Sequence, residues 1–349
     1  MKYEVSYVFE KDKIAIDLDA TNIKIMVGNK KVVKHFEIIK TPEDSIKDDK
    51  IINIEEIKNS LQGYLNKNNI KTKDVAFVIH GQDVISRHTE VPIMDTAGIK
   101  TSLDFEMNQY LPRDAGEYII DYEIIEKIDS IEKKVLKLFV AAVPKEKVNR
   151  IVKLCEMLKL EITAIDITSN CARRVFKDVS KKNTSLENIG VIDLGSNNTN
   201  IIILDKGKLF IEREIPFGVN NIIREIIKKE NLDFDDAFKY LENSVSLTGI
   251  KEGNELEKRI LNLFDSVFSS LEKIVTFFTI GRSKDNLDAI YVIGSVHLIK
   301  GLKEYTNTYF NCPVFILESA ESIGVKIAIS SDCNIRRYIG ALGLLLRKE

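Results

Sequence analysis

Ile14-Ala-Ile-Asp-Leu-Asp-Ala-Thr-Asn-Ile-Lys-Ile-Met-Val27 is one of two stretches that decide how this chain folds. It reads as an apolar strand, a turn of small polar residues and a second apolar strand. Gly190-Val-Ile-Asp-Leu-Gly-Ser-Asn-Asn-Thr-Asn-Ile-Ile-Ile203 repeats it half a chain later, setting Asp193 over Asp17, Leu194 over Leu18 and Asn198 over Asn22. One copy alone is ordinary, because Asp commonly caps tight turns. A matched pair so far apart points to a duplicated fold.

Each copy runs on into a third strand, Lys31 to Ile39 and Lys208 to Ile215, through Gly28-Asn29-Lys30-Lys31 and Asp205-Lys206-Gly207-Lys208. Those connecting residues tolerate positive φ, as hairpins require. Helical periodicity follows in both halves, over Ile54 to Asn66 and Val219 to Lys229. Strand, strand, strand, helix, twice, resembles the plan of the actin, sugar-kinase and Hsp70 superfamily. The expected class is therefore α/β, an actin-like two-lobed fold built from a duplicated ribonuclease-H-like domain, with lobes at residues 12–185 and 186–349. In that fold two facing hairpins can close on a phosphate chain, since their turn amides form an anion-binding concavity. Asp17 and Asp193, ending the first strand of each half, would face one cleft and order water around magnesium. Helices carrying Ala172 and the Gly340-Ala341-Gly343 run are expected to cross closely between the lobes.

Composition narrows the class. The 349 residues are 44% hydrophobic and 30% charged with a formal net charge of -2, which suits a soluble protein of roughly two domains. Nothing in the charge implies a nucleic-acid or anionic-membrane partner. Residues 1–13 lack an uninterrupted apolar core after a basic start, and no later stretch approaches the roughly 18 apolar residues of a membrane span. A cytoplasmic chain is expected. Cys155, Cys171, Cys312 and Cys333 show no CxxC spacing, so neither metal nor disulfide is expected of them.

Between the strands Val75 to Ile79 and Glu161 to Ile167 an α+β module is inserted, at about 84–157. Its helix, Thr101 to Leu111, sets Leu103, Met107, Tyr110 and Leu111 on one face, leaves Phe105 off it and stops at Pro112. Two strands, Tyr118 to Lys127 and Lys133 to Val143, follow, and then a helix after Pro144. Within this frame Gln109-Tyr-Leu-Pro112, Asp121-Tyr122, Val140-Ala-Ala-Val-Pro-Lys-Glu146 and Ala164-Ile-Asp-Ile167 occur in order. Val191-Ile-Asp-Leu-Gly-Ser196, Arg213-Glu-Ile-Pro-Phe-Gly218, Ile290-Tyr-Val-Ile-Gly294 and Tyr338-Ile-Gly-Ala-Leu-Gly-Leu344 follow them. Over nearly its whole length the chain resembles the PilM family of type IV pilus assembly proteins. The resemblance implies a scaffold at the cytoplasmic face of the inner membrane, holding the N-terminal cytoplasmic peptide of the membrane protein PilN and linking to the pilus motor ATPases. An ATP-gated actin-like switch and an FtsA-like filament protein are the alternatives. The peptide is expected between the helix Ser102 to Leu111 and the hairpin Tyr118 to Val143, with Phe105, Tyr110, Leu111, Pro112 and Tyr122 as anchors, although each such residue is more often core.

The same resemblance implies a nucleotide site at Asp17, Asp19, Thr21, Lys24, Asp193, Gly195, Ser196, Asn198, Gly218, Gly294 and Ser295, with magnesium on Asp17 and Asp193 if nucleotide binds. Thr21 and Lys24 match the expected hydroxyl and basic positions, and the second turn is intact. The first turn carries Asp19 where relatives have Gly, which lets backbone approach a phosphate. The adenosine turn reads Ile293-Gly-Ser-Val-His297 instead of a glycine run, and Phe238 and Leu241 stand where relatives offer Glu and Lys to the ribose, unless Lys239 shifts that register by two. ATP and magnesium are expected to bind weakly or not at all, with negligible turnover. None of the four histidines, His35, His80, His88 and His297, stands out as a general base.

Overall fold

Ile, Val and Leu crowd both repeats, and β-branched side chains favour extended backbone. The computed structural model, which describes residues 11–249, 254–280, 286–294 and 299–347, folds the first repeat into β1 (Lys13–Leu18) and β2 (Asn22–Gly28), continued by β3 (Val33–Lys40) as an antiparallel meander. A short ribbon of β4 (Ile46–Lys47) and β5 (Lys50–Ile51) leads into helix α1 (Ile54–Lys67). Strand β6 (Asp74–Ile79) then returns parallel to β1. The inserted module comprises β7 (Ile85–Pro92), α2 (Thr96–Met107), β8 (Tyr118–Asp129) and β9 (Lys134–Pro144). Helix α3 (Lys145–Leu158), β10 (Glu161–Ile167), α4 (Thr168–Phe176) and α5 (Val179–Lys182) complete the first half.

The second half repeats the plan with β11 (Asn188–Leu194), β12 (Thr199–Asp205), β13 (Lys208–Ile215), α6 (Val219–Glu230), α7 (Phe234–Ser244) and α8 (Glu255–Thr279). It ends with β14 (Ala289–Gly294), α9 (Leu302–Phe310), β15 (Val314–Ile316) and α10 (Ile339–Leu345). The two sheets, ordered β10-β6-β1-β2-β3 and β13-β12-β11-β14-β15, are the same order read from opposite ends. The duplication reaches single residues. Asp17 stands opposite Lys24 as Asp193 stands opposite Asn200, and the Asp19 and Gly195 amides donate to the Asn22 and Asn198 carbonyls at 3.0 Å each.

One core packs α1 and α3 under the first sheet around Ile14, Ile57, Phe77 and Leu154, and another packs α6 and α8 under the second around Ile201, Ile223, Phe264 and Phe268. A third joins the halves, setting Ala15, Val78, Val191 and Ile202 against α4 and α10. Those helices cross tightly because Gly343 has no side chain: a Cβ there would lie 2.5 Å from the Cys171 Cα. The inserted module has its own core of Val91, Leu103, Met107, Leu138 and Val140. Its helix α2 starts earlier than expected, at Thr96, because the Asp95 side chain caps it by accepting the Gly98 amide at 2.8 Å. All four cysteines are free and buried, and no helix among the described residues is long and apolar enough to cross a membrane.

Candidate functional site

Both repeats end their first strand at the same place, so Asp17 and Asp193 come to face one cleft between the sheets. Among the described residues this cleft is lined by both hairpin turns, Lys24, His80, Gly294 and the segment around Arg336 and Gly340. Lys24 sits at its centre, 3.5 Å from the Asp17 carboxylate and 3.0 Å from that of Asp19. Burial would pull the Lys24 ammonium down, but the surrounding carboxylates of Asp17, Asp19 and Asp193 outweigh it and hold the proton firmly. For Asp17, burial alone would favour the neutral acid. Lys24 and His80 overcome it and keep this carboxyl well below the usual range. Asp193 has no such partner: burial raises its carboxyl, Lys24 offsets only part of this, and the Asp17 charge adds to the rise.

His80 was not legible as a site residue from its position at the edge of the inserted module, yet it reaches into the cleft. Its Nε2 lies 2.6 Å from Asp17 Oδ1 and its Nδ1 lies 2.9 Å from the Thr168 hydroxyl. Burial lowers its affinity for a proton, but Asp17 raises it more, to a pKa of about 9. An imidazole that keeps its proton at neutral pH cannot take one from water, so His80 is no general base there. Asp17 thus has one oxygen on His80 and the other facing Lys24. A Cβ on Gly340 would stand 2.6 Å from that second oxygen. As they stand these residues do not fit a magnesium ion, since both oxygens of Asp17 already face cations, one the His80 imidazole and the other the Lys24 ammonium. Among the described residues no cluster of three or more His, Cys, Asp or Glu could hold a metal.

The remaining predicted residues fall as follows. In the first turn the Asp19 carboxylate accepts the amides of Thr21 and Asn22, at 2.7 and 2.8 Å. In the second turn Gly195 and Ser196 accept the amides of Val219 and Asn220 through their carbonyls, at 3.0 and 2.8 Å, which seats the start of α6 on the turn. Gly218 allows that close approach, and Gly294, at φ +95, would place a Cβ 2.6 Å from Asp193 Oδ1. Asn198 lines the cleft, while Ser295, Val296 and His297 lie outside the described residues. On the ribose side Leu241 is buried in the second lobe's core and Phe238 packs against it, while Lys239 is exposed and paired with Asp236 at 2.8 Å. The cleft holds about 70 Å³, well short of the roughly 300 Å³ at which small-molecule pockets begin.

In the inserted module α2 packs onto the hairpin, and the side chains between them form the module's own core. Leu111 joins Leu103 and Met107 there with Tyr122 half-buried beside them. Phe105 is 76% exposed and Tyr110 49%, the latter under the Arg87 guanidinium at 3.4 Å, and Pro112 is exposed. The open groove lies on the other face of the sheet. Residues alternate across a strand, so Ile119, Asp121 and Glu123 of β8 and Ala141 and Val143 of β9 turn towards Ile165 and α4, enclosing about 580 Å³. Tyr122 reaches its rim, and Arg173 of α4 spans to Glu123 at 2.6 Å. Beside it lies a network that sequence reasoning missed. Asp166 binds both Arg174 and Arg347, the latter at 2.6 Å, joining β10 and α4 to the residues after α10. A larger cavity, about 880 Å³, separates the inserted sheet from the β12–β13 hairpin and is bridged by His88 between Phe139 and Phe210.

Comparison with known proteins agrees with this architecture. The family described as type IV pilus assembly protein PilM matches residues 15–349. Among solved structures, the PilM-PilN type IV pilus biogenesis complex superposes with a TM-score of 0.82 at 17% identity, covering 97% of this chain and 98% of that one. The ethanolamine utilization protein EutJ from Carboxydothermus hydrogenoformans gives 0.55 at 12% identity over 96% and 89% of the two chains. MreB5 of Spiroplasma citri bound to ADP gives 0.51 at 13% identity over 90% and 94%. The fold is the actin-like two-lobed α/β fold.

Proposed function

The chain belongs to the PilM family of type IV pilus assembly proteins, and from that premise we propose that it is a cytoplasmic scaffold that grips an extended peptide of a PilN-type partner and gains its place at the membrane through it. Its lobes are taken at 12–185 and 186–349, with the inserted module at about 84–157. The observation that carries the reading is the groove between the inserted sheet and α4. It has an apolar floor of Ala141, Val143, Val148 and Ile165 and rims of both charges, Asp121 and Glu123 facing Arg173 and Lys177. Strand β8 edges its sheet, so a peptide laid along it gains backbone hydrogen bonds while alternate side chains enter the groove. This moves the peptide from the helix α2 side to the opposite face of the hairpin. The PilM-PilN complex shares the fold over nearly the full chain, which supports a partner of that type.

ATP, on this reading, is at most a weak ligand. The cleft is small, the ribose-side positions are apolar or turned to solvent, and His80 is protonated. The test is calorimetric titration with a synthetic peptide covering the N-terminus of a PilN-type protein, beside one with magnesium ATP. Peptide binding that is lost in Val143→Asp and kept in Phe105→Ala supports the groove. Binding lost only in Phe105→Ala or Tyr110→Ala returns the peptide to the α2 side. Micromolar ATP affinity overturns the weak-ligand reading in favour of an ATP-gated switch.

A further inference from the structure

The cleft's first turn already holds an anion, and that anion is part of the chain. Asp19 Oδ1 takes the amides of Thr21 and Asn22 at 2.7 and 2.8 Å, and its Oδ2 lies 3.0 Å from Lys24 Nζ. Two converging backbone amides and an ammonium are what a hairpin turn offers a phosphate oxygen. Here every one of them is engaged by a single side chain. The second lobe reaches this turn too: the side-chain Nδ2 of Asn220, at the start of α6, donates to Asn197 Oδ1 in the second turn at 2.9 Å and to Thr21 Oγ1 in the first at 3.4 Å.

We infer that Asp19 is a built-in phosphate mimic: it occupies the first phosphate turn and holds Lys24 in the place of a nucleotide's phosphate oxygen. This rests on the actin-like reading of the cleft, but it names a cause distinct from the loss of ribose contacts. A phosphate chain entering the turn must displace a carboxylate that makes two short hydrogen bonds and an ion pair, and must bear that carboxylate's charge nearby. With Gly at this position, Lys24 and both amides would face the cleft.

Magnesium tripolyphosphate probes the phosphate turns apart from the adenosine side. Its affinity, measured by calorimetry on the full chain, is expected to rise between about tenfold and a hundredfold in Asp19→Asn and at least as much in Asp19→Gly. Lys24→Ala placed on Asp19→Asn should abolish the gain. Asp19→Asn keeps a side-chain acceptor for the turn amides, so circular dichroism and melting close to the parent secure it as a folded comparison. Equal tripolyphosphate affinity in parent, Asp19→Asn and Asp19→Gly overturns the mimic. The ratio decides this whatever the parent's own ATP affinity, so a micromolar parent site would sink the weak-ligand reading without touching the mimic.

Discussion

A carboxylate as buried as Asp17 survives only because two cations share it. His80 supplies one of them, and the pair ties stability to pH. The unfolded imidazole titrates near 6.5 and the folded one at about 9, so the folded state holds the proton more tightly. Stability is therefore full below pH 6.5 and falls as pH rises towards 9, by a few kcal/mol for a shift of this size, at about 1.4 kcal/mol per unit. Urea midpoints measured from pH 6 to 9 should fall steadily in the parent, and His80→Gln, less stable at pH 6, should flatten the slope. A parent curve as flat as the variant's would mean that the imidazole is not charged in the fold.

At the scale of elements, the crossing of α4 and α10 decides how the halves sit together. Alanine is the better helix former by about 1 kcal/mol, yet at Gly343 its methyl would stand 2.5 Å from the Cys171 Cα, against backbone that cannot move aside. The clash should win. Gly343→Ala is expected to cost about 1 to 3 kcal/mol, read as a lower urea midpoint at unchanged slope. The second clamp on this crossing is Asp166, whose carboxyl burial would raise but Arg174 and Arg347 hold below its ordinary value. Its contribution is therefore present at neutral pH and is lost only as pH falls below about 4. Asp166→Ala should cost about 3 to 5 kcal/mol by stranding the largely buried Arg174 guanidinium, and Asp166→Asn, which still accepts a hydrogen bond, should cost less. Melting curves of the two variants side by side test that order.

For the whole molecule the question is what holds the lobes in register. A hydrogen bond from the Asn220 side chain to Thr21 crosses the cleft, and the shared core of α4 and α10 lies beneath it. Ligand should therefore add little to stability. With a dissociation constant at or above about 1 mM, about 1 mM magnesium ATP stabilises the fold by no more than ~0.4 kcal/mol, so thermal scans with and without it should nearly coincide. An upward shift of several degrees would mean that nucleotide binds the folded state far better than this cleft allows.

By itself the sequence determined the two repeats, their Asp-ended strands and the inserted module, because these are local: alternating β-branched runs and polar turns specify hairpins before any tertiary contact forms. The small-residue run 340–343 likewise announced a close helix crossing. The start of α2 was misplaced because its N-cap depends on one side chain, Asp95, whose role periodicity does not reveal. What only the tertiary structure decided were the contacts between residues distant in sequence. His80 meets Asp17 because β6 lies beside β1, and Asp166 meets Arg347 because α10 returns across the first lobe. The open groove beside α4 arises for the same reason. Each strand of the hairpin offers two faces at period two, and both carried plausible anchors. Which face stays open depended on α2 folding down onto one of them, and that is a matter of packing that the spacing of residues along the chain does not encode.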